Sequence, residues 1–121
     1  MLTSDNTRPV PSGEILPLMI DEMKKSSPEA SIRLLIATGL HEWSPSRAEL
    51  GEKIGVAIDE LEQIEIHHAR DMNSMTRLGS LSTGNELFVN KLLSEVDLVV
   101  ADGYIEGHFF AGFTGGPKSI L

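Results

Sequence analysis

Cysteine is absent from this chain of 121 residues, which excludes a disulfide framework, a thiolate metal site and a thiol nucleophile. That absence fits a reducing compartment, so a cytoplasmic location is expected. Aromatic residues are sparse at 5%, with Trp43 and Tyr104 the single representatives of their types. Basic residues are outnumbered, ten Lys and Arg against eighteen Asp and Glu, for a net charge of −8. With no basic run or stripe to offset that charge, neither nucleic acid nor an anionic membrane suits as a partner. No apolar run reaches membrane-spanning length, and residues 1–11 lack the apolar core of a signal peptide.

Glycine is plentiful and concentrated at one end. Five of the eleven glycines lie in residues 103–121, around His108 and Lys118. Glycine at that density lets backbone approach a ligand closely and takes φ values that other residues avoid. Thr114-Gly115-Gly116-Pro117-Lys118 can turn several N–H groups toward an anion, with Lys118 adding a point charge. Phe109, Phe110 and Phe113 are expected to hold this loop against a core. The stretch reads as an active-site loop, and the chain stops three residues beyond Lys118, an ending expected to fall inside the site.

The remaining residues have the make-up of one soluble globular domain, 40% apolar and 23% charged. Residues 3–12 read as an opening loop, with Pro9 and Pro11 favouring extended backbone before them. A chain that opens on its most motif-like loop is expected to be truncated there too. Ser12 is positioned to cap a helix over 14–25, with Ile15, Leu16, Met19, Ile20 and Met23 three and four apart. Ile32-Arg-Leu-Leu-Ile-Ala37 reads as a strand buried on both faces of a parallel sheet. Ser44 or Ser46, with Pro45 and Glu49, then starts a helix that ends at Ile54 and Gly55. A turn of helix over 58–62, a strand over 64–68, a hairpin of 76–81 with 86–90, a helix over 90–96 and a buried strand over 97–101 follow. This alternation predicts an α/β domain, Rossmann-like in part, with a mostly parallel sheet flanked by helices and one antiparallel hairpin. Ligands in such sheets gather at the carboxyl ends of strands, where His41, His68 and His108 all fall.

Each candidate also has a plain reading. His41 could simply bond backbone, whereas His108 has little structural work inside a glycine-rich loop, which points to function. His67 and His68 are adjacent and read as structural. Arg8 beside Pro9 suits bidentate binding of a carboxylate or phosphate, or else a surface pair with Asp5. Lys118 could be a solvated lysine, an anion ligand or a point of covalent attachment. Trp43 and the methionines read as packing residues. Neither phosphate-binding fingerprint fits: the GxGxxG spacing is absent, and Pro117 separates Gly116 from Lys118 where a Walker A loop has glycine directly followed by lysine.

Four motifs in order, Asp5-x-Thr7-Arg8-Pro9, Ala37-Thr38-Gly39-x-His41, Gly103-x-Ile105-Glu106-x-His108 and Gly112-Phe-x-Gly115-Gly116-x-Lys118, resemble the lactate racemase family. The resemblance runs from Asp5 to the chain end and implies that residues 1–121 are part of the amino-terminal catalytic domain of a nickel-pincer-nucleotide 2-hydroxy-acid racemase or epimerase. It implies that His41 and His108 exchange the hydroxyl proton and that Arg8 and Asp5 meet the substrate. Lys118 would tether the pincer nucleotide, in the longer protein and not in this chain alone, with Thr114, Gly115 and Gly116 beside it. The nickel-ligating histidine would lie beyond Leu121, so no metal ligand is assigned here. The expected partners are a small 2-hydroxy acid and a carboxyl-terminal domain of the same protein, with self-association where that domain is missing. Two other readings are an inactive anion- or nucleotide-binding fragment and, less supported, a metal-dependent hydrolase using His41, His68 and His108.

Overall fold

The computed structural model describes residues 1–109 and 112–120. Its centre is a three-stranded parallel sheet in the order β1 (Leu2–Ser4), β2 (Arg33–Ala37), β3 (Gln63–Ile66). The apolar run in β2 explains its central place. Leu34 and Ile36 face a core with Leu16, Ile20, Ile32, Ile54 and Ala57, while Leu35 turns the other way onto Leu2 and Leu92. A strand buried on both faces needs no polar alternation.

Helix α1 (Ser12–Ser26) lays Leu16 and Ile20, four residues apart, into the first core. Pro17 sits within it, at the cost of one intrahelical hydrogen bond. Helix α2 (Arg47–Ile54) begins with a capping box in which Ser46 and Glu49 satisfy each other's backbone N–H groups, and ends at Gly55 with φ 62°. The antiparallel hairpin of β4 (Met75–Ser80) and β5 (Glu86–Asn90) stands as a separate two-stranded sheet.

Several expectations are corrected. The opening residues are not all loop: Leu2–Ser4 pairs with β2, with Leu2 wholly buried. Ser12 does not cap α1. It is the first helical residue, and its hydroxyl is buried against Thr3 Oγ1 at 2.8 Å, while Pro11 stands at the cap position. The turn expected at 58–62 is a 3-10 turn three residues earlier, Gly55–Asp59. The helix expected over 90–96 shortens to a 3-10 turn, Lys91–Ser94, set by Asn90 Oδ1 accepting from Leu92 N–H at 2.9 Å.

Residues 97–101 form no buried strand. Among the described residues Ala101 alone bridges Leu2, and Leu98 is 67% exposed. The glycine-rich arm makes a second hairpin, β6 (Gly107–His108) with β7 (Gly112–Phe113), followed by a 3-10 turn at Gly116–Ser119. Phe109 and Phe113 do not anchor it, being 93% and 67% exposed, and Phe110 lies outside the described residues. Buried Thr114 holds the arm instead. Its hydroxyl donates to Tyr104 O at 2.7 Å and accepts from Glu106 N–H at 3.1 Å.

Candidate functional site

The three parallel strands point their carboxyl ends the same way, so the residues that follow them share one edge of the sheet. Asp5, Thr7 and Arg8 follow β1, Thr38 to His41 follow β2, and His67 follows β3. The arm brings His108, Thr114, Gly115 and Lys118 to the same place. All of these line one cleft of about 470 Å³.

Asp5 organises the sheet side. Its carboxylate is buried; Oδ1 accepts from Thr7 N–H at 3.0 Å and from the Thr7 hydroxyl, and Oδ2 accepts from His41 Nδ1 at 2.8 Å. Burial alone would raise the Asp5 pKa, but the hydrogen bonds from Thr7 and His41 outweigh it and hold the carboxyl below its ordinary range. An ionised carboxylate only accepts, so the proton between the two residues belongs to His41 Nδ1. The lone pair of His41 is therefore on Nε2.

Arg8 spans the cleft mouth. Its Nη1 donates to Thr7 Oγ1 at 3.3 Å, and its Nε lies 3.9 Å from Glu106 Oε1 on the arm. Beneath this loop the Lys53 ammonium donates to Arg8 O at 3.5 Å and Val10 O at 3.4 Å. Burial lowers the Lys53 pKa, opposed by the charges of Asp102 and Asp5.

On the arm, His108 is half-buried with its ring stacked on Phe109, centroids 4.9 Å apart. Gly115 has φ 73°, and a Cβ there would lie 3.0 Å from Tyr104 O, so no side chain fits. Gly116 also has positive φ but does not line the cleft, and the Thr114 hydroxyl is committed to the arm's own backbone. Lys118 is exposed on the last turn and lines the cleft.

His68 is not in this cleft, contrary to expectation. It faces a smaller cavity of about 160 Å³ on the far side of His41. Its neighbour His67 takes the cleft position, because β3 ends at Ile66 and the next side chain continues along the shared edge. From sequence, His67 reads as structural, and neither Thr7, although it stands in a motif, nor Asn90 has a role in the site. Strand alternation alone could have shown that one of the paired histidines faces the ligand side. Among the described residues, no three His, Asp or Glu side chains converge to hold a metal ion, which leaves the hydrolase reading of His41, His68 and His108 without a site.

The sequence matches the family described as the lactate racemase N-terminal domain over residues 1–121. The chain belongs to that family. The lactate racemase of Thermoanaerobacterium thermosaccharolyticum is 48% identical over all 121 residues, and that of Lactiplantibacillus plantarum 44%. The solved lactate racemase apoprotein from T. thermosaccharolyticum superimposes with a TM-score of 0.88 over 98% of the chain. The chain spans 28% of the length of each of these relatives.

Proposed function

We propose that this domain supplies one wall of the active site of a 2-hydroxy-acid racemase or epimerase, completed by the remainder of a protein of its relatives' length. The observation that supports it most is the shared cleft, in which Asp5-oriented His41 from the sheet and His108 from the arm stand with Arg8 and Lys118. A racemase needs a proton carrier for each orientation of its substrate, and an imidazole exchanges protons near neutral pH.

In this reading His41 Nε2 takes the hydroxyl proton of one enantiomer while Asp5 holds the Nδ1–H edge and stabilises the imidazolium. His108 carries the proton for the other enantiomer. The Arg8 guanidinium holds the carboxylate, so the flat keto acid can present its other face without leaving. When bound, a nickel pincer nucleotide would supply the hydride acceptor that no protein side chain can be. The residues present fit such a group. The Lys118 amine is exposed at the cleft, the volume of about 470 Å³ lies within the range of cofactor sites, and Gly115 leaves the backbone bare. Lys118 would carry the tether, and the bare backbone of Gly115 would shape the wall beside it.

No described helix is long and apolar enough to cross a membrane. With no cysteine in the sequence, the cytoplasm is the compartment proposed.

The test is made on the full-length protein coexpressed with its cofactor-making enzymes. Intact mass is expected to show an added cofactor that Lys118→Ala abolishes. His41→Ala and His108→Ala are each expected to slow interconversion of enantiomers by at least ~100-fold, the usual scale of a lost general base. An unmodified wild type with full racemase activity would refute the tether, and wild-type rates in both histidine variants would refute the proton carriers.

A further inference from the structure

We propose that His67 is a ligand-binding donor in the cleft, whose Nε2–H, set by Asn90, hydrogen-bonds a carboxylate or phosphate oxygen of the bound molecule. The inference deepens the racemase reading and rests on the same cleft.

Leu92 N–H donates to Asn90 Oδ1 at 2.9 Å in a buried position, which fixes the amide with oxygen toward Leu92 and nitrogen away. Glu65 Oε1, 2.8 Å from Asn90 Nδ2, can only accept, so it agrees with that orientation. The second hydrogen on Nδ2 is then left for His67 Nδ1, 3.5 Å away. A donor facing Nδ1 requires a lone pair there, and a neutral imidazole has one lone pair and one N–H. The proton of His67 therefore sits on Nε2. Burial and the neighbouring charge of His68 both favour the neutral ring, against the pull of Glu65.

Among the described residues no protein group accepts from Nε2, and the ring lines the cleft. Of the acceptors nearby, both Asp5 oxygens take hydrogen bonds and the Thr38 and Thr114 hydroxyls donate to His67 O and Tyr104 O, which leaves Ser4 Oγ and His41 Nε2 open in the lining. Arg8 and Lys118 add further donors to the same lining. Three side-chain donors on one wall, His67, Arg8 and Lys118, suit a ligand that brings acceptor oxygens. Two sources meet that need, the carboxylate of a 2-hydroxy acid and the phosphate of a nucleotide.

Calorimetric titration of the cofactor-free full-length protein with glycolate and, separately, with inorganic phosphate distinguishes them. His67→Ala is expected to weaken one of the two by about tenfold or more, the scale of one hydrogen bond to a charged partner. His67→Gln, which keeps an N–H donor, is expected to stay within about threefold of wild type. Loss confined to glycolate assigns the substrate carboxylate; loss confined to phosphate assigns the cofactor. A wild type that binds neither probe, or an alanine variant that binds both unchanged, overturns the proposal. Long-range nitrogen–proton spectra of histidine-labelled protein give a second reading that needs no variant. They are expected to show His67 protonated at Nε2, and a proton on Nδ1 overturns the assignment. Should the loaded wild type racemise no 2-hydroxy acid while His67→Ala still loses phosphate, the racemase reading fails and this site stands.

Discussion

Asp5 and His41 meet at 2.8 Å although 36 residues separate them in sequence. That contact ties the stability of the cleft to pH. Because the fold holds Asp5 below its ordinary value of 3.8, the unfolded chain takes up that proton first on acidification. The contribution of Asp5 is full above 3.8 and disappears as pH falls through the folded value. His67 acts in a higher window with the same sign. Its folded pKa lies below 6.5, so between 6.5 and the folded value the unfolded state binds more protons and stability is lost as pH falls. Thermal melts of wild type and His67→Gln from pH 7.5 to pH 5 are expected to show a steeper decline in wild type. Parallel curves would mean that His67 titrates alike in both states. Arg8, His41, His108 and Lys118 stood out as candidates because each lies within two residues of a glycine or proline, whereas Asp5 was singled out only through the family resemblance. His67 did not stand out. Its meaning depends on Asn90, 23 residues away, and on which side of β3 the chain leaves the sheet.

The elements that could be read from sequence are those whose signals are local. The apolar run of β2, the Ser46–Glu49 capping box and the Ser82-Thr83-Gly84-Asn85 turn between β4 and β5 each determine a short segment by themselves. Those that could not be read depend on partners far along the chain. β1 is only three residues long and exists because β2 lies beside it, and of the strand expected over 97–101 only the bridge of Ala101 to Leu2 forms among the described residues. Two glycines near α2 give opposite expectations from the same substitution. A Cβ at Gly51 meets nothing within 4 Å inside a helix, so Gly51→Ala is expected to add about 0.5–1 kcal/mol of stability. Gly55 has φ 62°, and its Cβ would lie 3.1 Å from Gly13 O where α1 crosses the turn after α2. Gly55→Ala is expected to lower the melting temperature by several degrees. Urea titrations of the two variants decide the signs.

Across the whole molecule, apolar side chains collect on the arm and the segment leading to it. Tyr104, Ile105, Phe109 and Phe113 are all exposed. The isolated chain is therefore expected to form dimers or larger species at high concentration, and static light scattering that reports only monomer would count against this. The site was legible at this scale for a topological reason: parallel strands place their ends together, so residues scattered from Asp5 to His67 had one edge to share. The arm is joined to that sheet through Leu2, whose N–H donates to Val100 O at 2.8 Å and whose O accepts from Asp102 N–H at 3.0 Å, while its other side pairs with Leu35. That arrangement divides the molecule in time. In deuterated solvent the amides of Leu2, Leu35 and Asp102 should exchange together, as one slow clock set by the sheet. The amides of Glu106 and Thr114, bonded only within the arm, should keep a faster one, so the wall bearing His108 and Lys118 opens many times while the wall bearing Asp5 and His41 stays shut.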